Sequence, residues 1–254
     1  MESINLLDVR IHKFDRSGLL EAITTPPASG KQVFAYVNIK SMNLACEIGW
    51  YHEFLNQADY VFCDGMGVVL GARLAGQSIS RVYRHTCPDW TVSLAQSCLQ
   101  KQLSLFVLAG EPEVAARTQE LFKEHAPGLK VAVHHGHFDQ NGEGNNDVIH
   151  KINDFQPDIL LVGMGTPLQE KWVLENKEHL QARTILPIGA CMDFFTGRHY
   201  RGPDWLTGNG FEWLIRLATE PRRLWRRYLL GIPKFYFRVL GHRLGFRVFR
   251  TEPL

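Results

Sequence analysis

PDILLVGMGTPLQEKW, residues 157–172, switches once from one pattern to another. Ile159–Val162 is a short run of branched aliphatics without a charge, the composition of a strand buried on both faces. Gly163 and Gly165 interrupt it, and from Leu168 to about residue 181 the spacing of apolar residues is helical. Strand, glycine turn and helix make one βα unit of a parallel sheet. The unit recurs in both directions along the chain. Val33–Val37, Tyr60–Cys63, Leu103–Leu108, Val131–His134 and Thr184–Ile188 read as further buried strands. Helical patterns lie near 41–57, 67–76, 89–101, 112–125 and 145–155, and Pro112 opens one of them where its missing N–H is tolerated. The expected fold is therefore α/β and Rossmann-like, a mostly parallel sheet flanked by helices. No internal repeat or low-complexity segment interrupts it.

Past about residue 195 the pattern changes. FEWLIRLATEPRRLWRRYLL (211–230) reads as helix broken at Pro221, and KFYFRVLGHRLGFRVF (234–249) mixes aromatics with spaced arginines. The division expected is a catalytic body over 1–195 and a basic, amphipathic helical appendage over 196–254. Charge follows the same division. The 254 residues carry a net charge of only +2, yet twelve Lys/Arg against four Asp/Glu fall from Thr196 onward, leaving the body acidic. A basic tail on an acidic body calls for an anionic partner.

An apolar fraction of 45% with 21% charged residues is ordinary for a globular protein, and a chain this long buries a core without staples. The five cysteines (Cys46, Cys63, Cys87, Cys98, Cys191) are widely spaced with no C-x-x-C, so neither a zinc site nor a disulfide framework is expected, and reduced thiols suit the cytosol. Charges interrupt the start MESINLLDVRIHKFD where a signal peptide needs its apolar run, and no stretch reaches the ~18 apolar residues of a spanning helix.

In open α/β sheets ligands bind beyond the carboxyl ends of the strands, so the residues after each strand are the candidates. They include Asn38; Asp64, Gly65 and Gly67; Gly110; His137 and Phe138; Gly163 and Gly165; and Asp193. Glycine turns opening on helix N-termini let backbone N–H groups approach phosphate, and several on one sheet edge suit a nucleotide diphosphate; any one of them is also explained as a tight turn. Asp64 has two readings: a general base that takes a proton from an attacking hydroxyl, or a cap for the following helix. No Asp-x-Asp pair is present to hold a divalent cation, and Asp139–His150 resembles a calcium loop but ends on His150 where a bidentate Glu is needed. No metal and no cofactor are expected, so leaving-group charge falls to Arg, Lys, helix dipoles or backbone N–H. His134, His135 and His137 cluster without ligand spacing, and Cys63 and Cys191 read as small buried hydrophobes.

Six collinear blocks then carry a resemblance: ADYVFCDGMGVVLGARLAG (58–76), RHTCPDW (84–90), LFVLAGEPEVA (105–115), PDILLVGMGTPLQEKW (157–172), LPIGACMDFFTGRHYRGPDW (186–205) and GFEWLIRLATEPRRLWRRYL (210–229). Over nearly its whole length the sequence resembles the WecG/TagA/CpsF family of bacterial glycosyltransferases, glycosyltransferase family 26. The resemblance implies a Rossmann-like body that binds a UDP-sugar, inverting transfer without a bound metal to a polyprenyl-diphosphate-linked acceptor, and a C-terminal appendage that meets the inner face of the cytoplasmic membrane and helps close the site. It implies that Asp64 is the base and that Gln169 and Asn38 orient the sugar. Arg84, or Arg81 if the loop is shifted, becomes the diphosphate contact, with Thr86 and Asp89 in the same block. Cys87 stands where the family usually has Gly, Trp90 where Leu is common, and Ser80–Tyr83 lengthens the preceding loop. These departures bear on which sugar is moved, so the expectation stops at a hexose-type donor: glucose, N-acetylmannosamine or its uronic acid.

The tail arginines, Arg216, Arg223 and Arg226 among them, are interleaved with Trp213, Trp225, Tyr228 and Phe235–Phe237. Such a face suits anionic headgroups, and Arg also matches the phosphates of donor and acceptor. Packing on the body with Arg as a solvated rim is the plainer alternative; a nucleic-acid partner is not expected, and a homo-oligomer is left open. Two other functions fit the same fold class. A nucleotide-dependent oxidoreductase needs a G-x-G-x-x-G after the first strand and an acidic residue about 20 further on, and both are missing. A non-catalytic membrane scaffold would need no nucleotide at all.

Overall fold

The computed structural model describes residues 1–246. Six parallel strands form the central sheet: β3 (Gln32–Val37), β4 (Tyr60–Cys63), β5 (Leu105–Ala109), β6 (Val131–His134), β7 (Ile159–Gly163) and β8 (Thr184–Pro187), in the spatial order β4-β3-β8-β7-β5-β6. Before it comes an antiparallel hairpin that the sequence reading did not anticipate, β1 (Ser3–Leu6) with β2 (Val9–His12). Its charges alternate with apolar residues, so Ile4, Leu6, Val9 and Ile11 go into the core while Glu2 and Arg10 stay outside. The His12 ring Nδ1 accepts the Val61 N–H at 3.0 Å and ties the hairpin to β4.

Alternation along the strands sends side chains into two layers. Val33, Ala35, Val37, Leu160 and Val162 pack under α2 (Ile39–Glu47), α3 (Gly49–Gln57), α4 (Met66–Leu74), α7 (Glu143–Phe155) and α8 (Leu168–Asn176). Phe34, Phe62, Ile159 and Leu161 face α1 (Arg16–Ile23), α5 (Cys87–Gln100), α6 (Pro112–His125) and α9 (Cys191–Phe195). The expected helix over 41–57 is two helices, broken where Ile48 is extended (φ −124°, ψ 110°).

The tail is helical, as expected, and folded onto the body: α10 (Asp204–Thr207), α11 (Glu212–Thr219), α12 (Pro221–Trp225), a π-turn over Arg226–Leu230 and α13 (Gly231–Arg243). Pro221 begins α12, so the break falls where expected. Phe235 and Val239 of α13 are fully buried. Gly71 on α4 makes this possible, because a Cβ there would stand 2.5 Å from the Phe235 ring. Arg238 fixes the same helix from the other side, donating to Glu47 Oε1 at 2.8 Å and to Asn43. Arg247, Phe249 and Arg250, counted above with the basic tail, lie outside the described residues.

β3 feeds β4 on one side, and the four later strands all lie on the other. The crevice between β3 and β8 is thus the switch point at which such sheets bind ligands.

Candidate active site

Two cavities open at that crevice, beneath the tail. The first, about 320 Å3, runs between Asp64, Gly65, Met66, Gly67 and Leu70 of the body and Phe211, Trp213, Tyr228, Ile232 and Tyr236 of the tail. The second, about 270 Å3, is bounded by Tyr36, Phe62, Trp90, Gly165, Thr166, Gly189 and Asp193, with Phe194, His199 and Arg223. Asn38, Lys40, Asp64, Thr86, Glu212, Arg216 and Arg227 line both.

Asp64 stands on the shared wall. Its backbone N–H is held by the Val37 carbonyl at 2.9 Å, and Asn38 Nδ2 donates to Oδ2 at 3.2 Å. The capping alternative is set aside by geometry: α4 is capped by Gly65 with no side-chain bond. Burial raises the Asp64 carboxyl to about 7; the Asn38 bond opposes the rise, Glu212 adds to it, and Arg216 and Arg227 oppose it. A carboxyl poised near neutrality, between two cavities, is suited to accept a proton from a hydroxyl entering from one of them. Asn38 is itself a helix cap: its Oδ1 accepts from the Lys40 and Ser41 N–H groups, and Ser41 Oγ accepts the Asn38 N–H.

Gln169 is placed otherwise than expected. Its side chain is fully buried and lines neither cavity. Oε1 accepts the N–H groups of Gly189 (2.9 Å) and Gly165 (3.3 Å), joining the loops after β8 and β7, while Nε2 donates to Glu170 Oε1 (2.8 Å) and Tyr36 Oη (3.3 Å). The sugar contact that the resemblance implies for this side chain is not seen here; what the structure shows is a hold on the loops that surround the second cavity. Glu170 is buried behind it, and burial pushes its carboxyl up; Oε2 has no partner among the described residues.

Arg84 and Arg81 are likewise engaged. Arg84 Nη1 donates to the Thr207 carbonyl at 3.1 Å and Arg81 Nη2 to that of Gly208 at 3.0 Å, so both brace the tail, although Arg84 also lines the first cavity. Asp89 pairs with Arg201, whose Nε reaches Glu212 at 3.3 Å. Asp89, expected among the substrate contacts, lines neither cavity and instead helps tie α5 to α11.

Of the other expected contacts, Gly65, Gly67 and Thr86 line the first cavity and Gly165, Thr86, Asp193, Arg216 and Arg223 the second. Gly110, His137, Phe138, Gly163 and Arg226 line neither. Gly163 is a packing position, where a Cβ would meet that of Ala109 at 2.7 Å, and Gly110 lies against Val114. Phe138 stacks edge-on against Trp172, and the Arg226 guanidinium covers the Trp225 ring. The expectation of unpaired cysteines also needs correction: Cys87 and Cys191, first residues of α5 and α9, are joined as a disulfide at the second cavity. Cys63, beside Asp64, remains a packed thiol that burial pushes up to about 12.

Sequence reasoning missed Lys40, Tyr36, Thr166 and Glu212, and counted Arg227 only among the tail arginines. Lys40 and Thr166 were within reach, lying two residues past Asn38 and one past Gly165; Glu212 and Arg227 became site residues only through the folding back of the tail. Among the described residues no group of three or more His, Cys, Asp or Glu is placed to hold a metal ion, and no helix is long and apolar enough to cross a membrane.

Outside the site, the tail presents a mixed surface. Phe237 (75% exposed), Leu229 and Leu230 (56% each) and Trp225 stand open, as do Arg222 and Arg226.

The sequence model of the Glycosyl transferase WecG/TagA/CpsF family matches residues 4–248. Two Staphylococcus aureus proteins, from strains MRSA252 and NCTC 8325 / PS 47, are each 29% identical over 206 residues, spanning 80% of this chain and 77% of theirs. Both bear the name N-acetylglucosaminyldiphosphoundecaprenol N-acetyl-beta-D-mannosaminyltransferase.

Proposed function

We propose that this chain, which belongs to the WecG/TagA/CpsF family of glycosyl transferases, moves a hexose-type sugar from a UDP-sugar to a polyprenyl-diphosphate-linked saccharide, with inversion at the anomeric carbon. The names of the S. aureus relatives support an acceptor carrying N-acetylglucosamine on undecaprenyl diphosphate and make N-acetylmannosamine the first sugar to test. One observation carries the reading: Asp64 lies on the wall common to two cavities, so a donor in one and an acceptor in the other meet at its carboxylate.

The polar second cavity, with Arg216, Arg223 and Arg227 along it, suits the nucleotide sugar. The first, lined by Met66, Leu70, Trp213 and Tyr236, suits the acceptor with the start of its lipid. Asp64 takes the acceptor hydroxyl proton, the oxygen attacks the anomeric carbon from the face opposite the diphosphate, and UDP departs with the bonding pair. Asn38 keeps Asp64 oriented and favours its charged form. Gln169 holds the loops around the sugar, and the tail closes the site over both substrates.

Residues 196–254 act in this reading as the appendage that meets the cytoplasmic membrane at its inner face. The exposure on the same tail of Leu229, Leu230 and Phe237 together with Arg222 and Arg226 supports that orientation. A panel of UDP-sugars offered with a lipid-diphosphate-linked N-acetylglucosamine acceptor, read by product mass, tests the function. One added sugar from a UDP donor is expected; no transfer from any member of the panel contradicts it.

A further inference from the structure

Lys40 is absent from every role assigned above, yet among the described residues it is the only lysine that lines either cavity. It is the second residue of α2, its side chain half-buried on the wall that both cavities share. The ammonium donates to the Thr166 carbonyl in the loop after β7. It makes no ion pair among the described residues. Burial, then the neighbouring Arg227, and further Arg223 and Arg216, lower its pKa; Glu170 is the carboxylate that opposes them.

Its neighbours are differently placed. Arg223 is paired with Glu220, Arg216 lies on the Phe194 ring at 4.6 Å and Arg227 against the Tyr228 ring at 5.4 Å. Arg84 and Arg81, in the segment between α4 and α5, point their guanidinium groups at tail carbonyls. Four cations therefore surround a space whose carboxylates are Asp64, Asp193 and Glu212, and burial keeps Asp64 from ionising readily. Gathering like charges on a partly buried wall is unfavourable until an anion arrives.

Resting on the glycosyltransferase reading, we infer that Lys40 is a catalytic residue that binds the diphosphate of the nucleotide sugar and meets the charge on the departing phosphate. When the anomeric C–O bond breaks, the bonding pair stays on the phosphate oxygen while the acceptor oxygen forms the new bond and its proton passes to Asp64. The growing charge is on UDP, and a compact ammonium with two donors left after Thr166 is suited to follow it.

A merely structural Lys40 would act as a strut between α2 and the β7–α8 loop. Lys40→Gln removes the charge while keeping an N–H donor on a side chain one bond shorter; Lys40→Arg retains the charge. Calorimetry with UDP and with uridine, alongside kcat and KM for the UDP-sugar, reads the difference. The inference predicts that K40Q weakens UDP binding at least ~10-fold, as expected for a lost hydrogen bond to a charged group, with uridine binding unchanged. It predicts a fall in kcat larger than the change in KM, and partial recovery in K40R. Wild-type UDP affinity in K40Q, or equal weakening of UDP and uridine, overturns it. Should the wild-type chain itself not bind UDP, the glycosyltransferase reading fails and this inference with it.

Discussion

Asn38 Nδ2 and Asp64 Oδ2, from loops after adjacent parallel strands, are hydrogen-bonded at 3.2 Å. The same Asn38 caps α2 through its Oδ1, so the residue that starts one helix also orients the carboxylate between the two cavities. A flexible cap would leave Asp64 free to turn. Here both ends of the amide are engaged.

The pH dependence of transfer follows from this pair. Asp64 must be ionised to accept a proton, and its carboxyl sits at about 7, so kcat/KM rises with pH through that value and levels above it. The Asn38 bond favours the charged form; its removal in Asn38→Ala moves the midpoint upward and costs about 1 kcal/mol through the lost cap. Stability runs the other way. From near pH 4 to 7 the folded chain retains a proton that the unfolded chain has released, so this group's contribution falls as pH rises across that window. A kcat/KM profile whose acid limb is unmoved in N38A contradicts the assignment.

Gln169 is a fastener of loops. In Gln169→Ala the Gly165 and Gly189 N–H groups lose their acceptor, costing about 1–3 kcal/mol for each group left dry. Thermal unfolding several degrees below wild type is expected, with the affinity for UDP reduced less than the stability. A wild-type Tm combined with weakened sugar binding would return Gln169 to the direct contact role.

Arg201 joins α5 to α11 through Asp89 and Glu212, at about one-quarter side-chain exposure. Arg201→Ala loosens the tail by about 1 kcal/mol. Hydrogen exchange over 204–219 should speed up about fivefold, while the strands of the body keep their protection. Uniform change across the chain, or none, contradicts the latch.

Binding of the tail to a membrane is checked with vesicles containing anionic lipid. Arg222→Ala and Arg226→Ala each reduce co-sedimentation about fivefold, from about 1 kcal/mol per basic residue near the surface, and Leu230→Ser with Phe237→Ser reduces it further. UDP binding is expected to survive all of these changes. Equal sedimentation with neutral and anionic vesicles, in wild type and variants alike, would leave the packing role for these arginines.

The sheet was readable because its strands are buried on both faces: uninterrupted runs such as Ile159–Val162 have no other use. The hairpin was not, since Glu2, Asp8 and Arg10 make it look like a charged leader, and its burial depends on α3 and β4 behind it. Asp64 was found from a strand end and a glycine turn. Gln169 entered only through the resemblance, and its burial between the loops after β7 and β8 was not legible, because a sequence records that a polar group exists and not which way it faces. Glu212 and Arg227 depend on how the tail returns over the crevice, and Cys87 meets Cys191 across 104 residues of chain. Pairings of that separation are fixed by the assembled sheet, which no local pattern encodes.

The central claim is that Asp64 is the base for sugar transfer, and Asp64→Asn tests it most directly. Asn retains the shape and a partner for Asn38 but accepts no proton. Initial rates are measured with saturating UDP-sugar and lipid-diphosphate acceptor, with UDP affinity determined on the same preparation. The account predicts a fall in kcat of roughly 100- to 10,000-fold with UDP affinity within a few-fold of wild type. Transfer by D64N at a rate near that of the wild-type chain would contradict it.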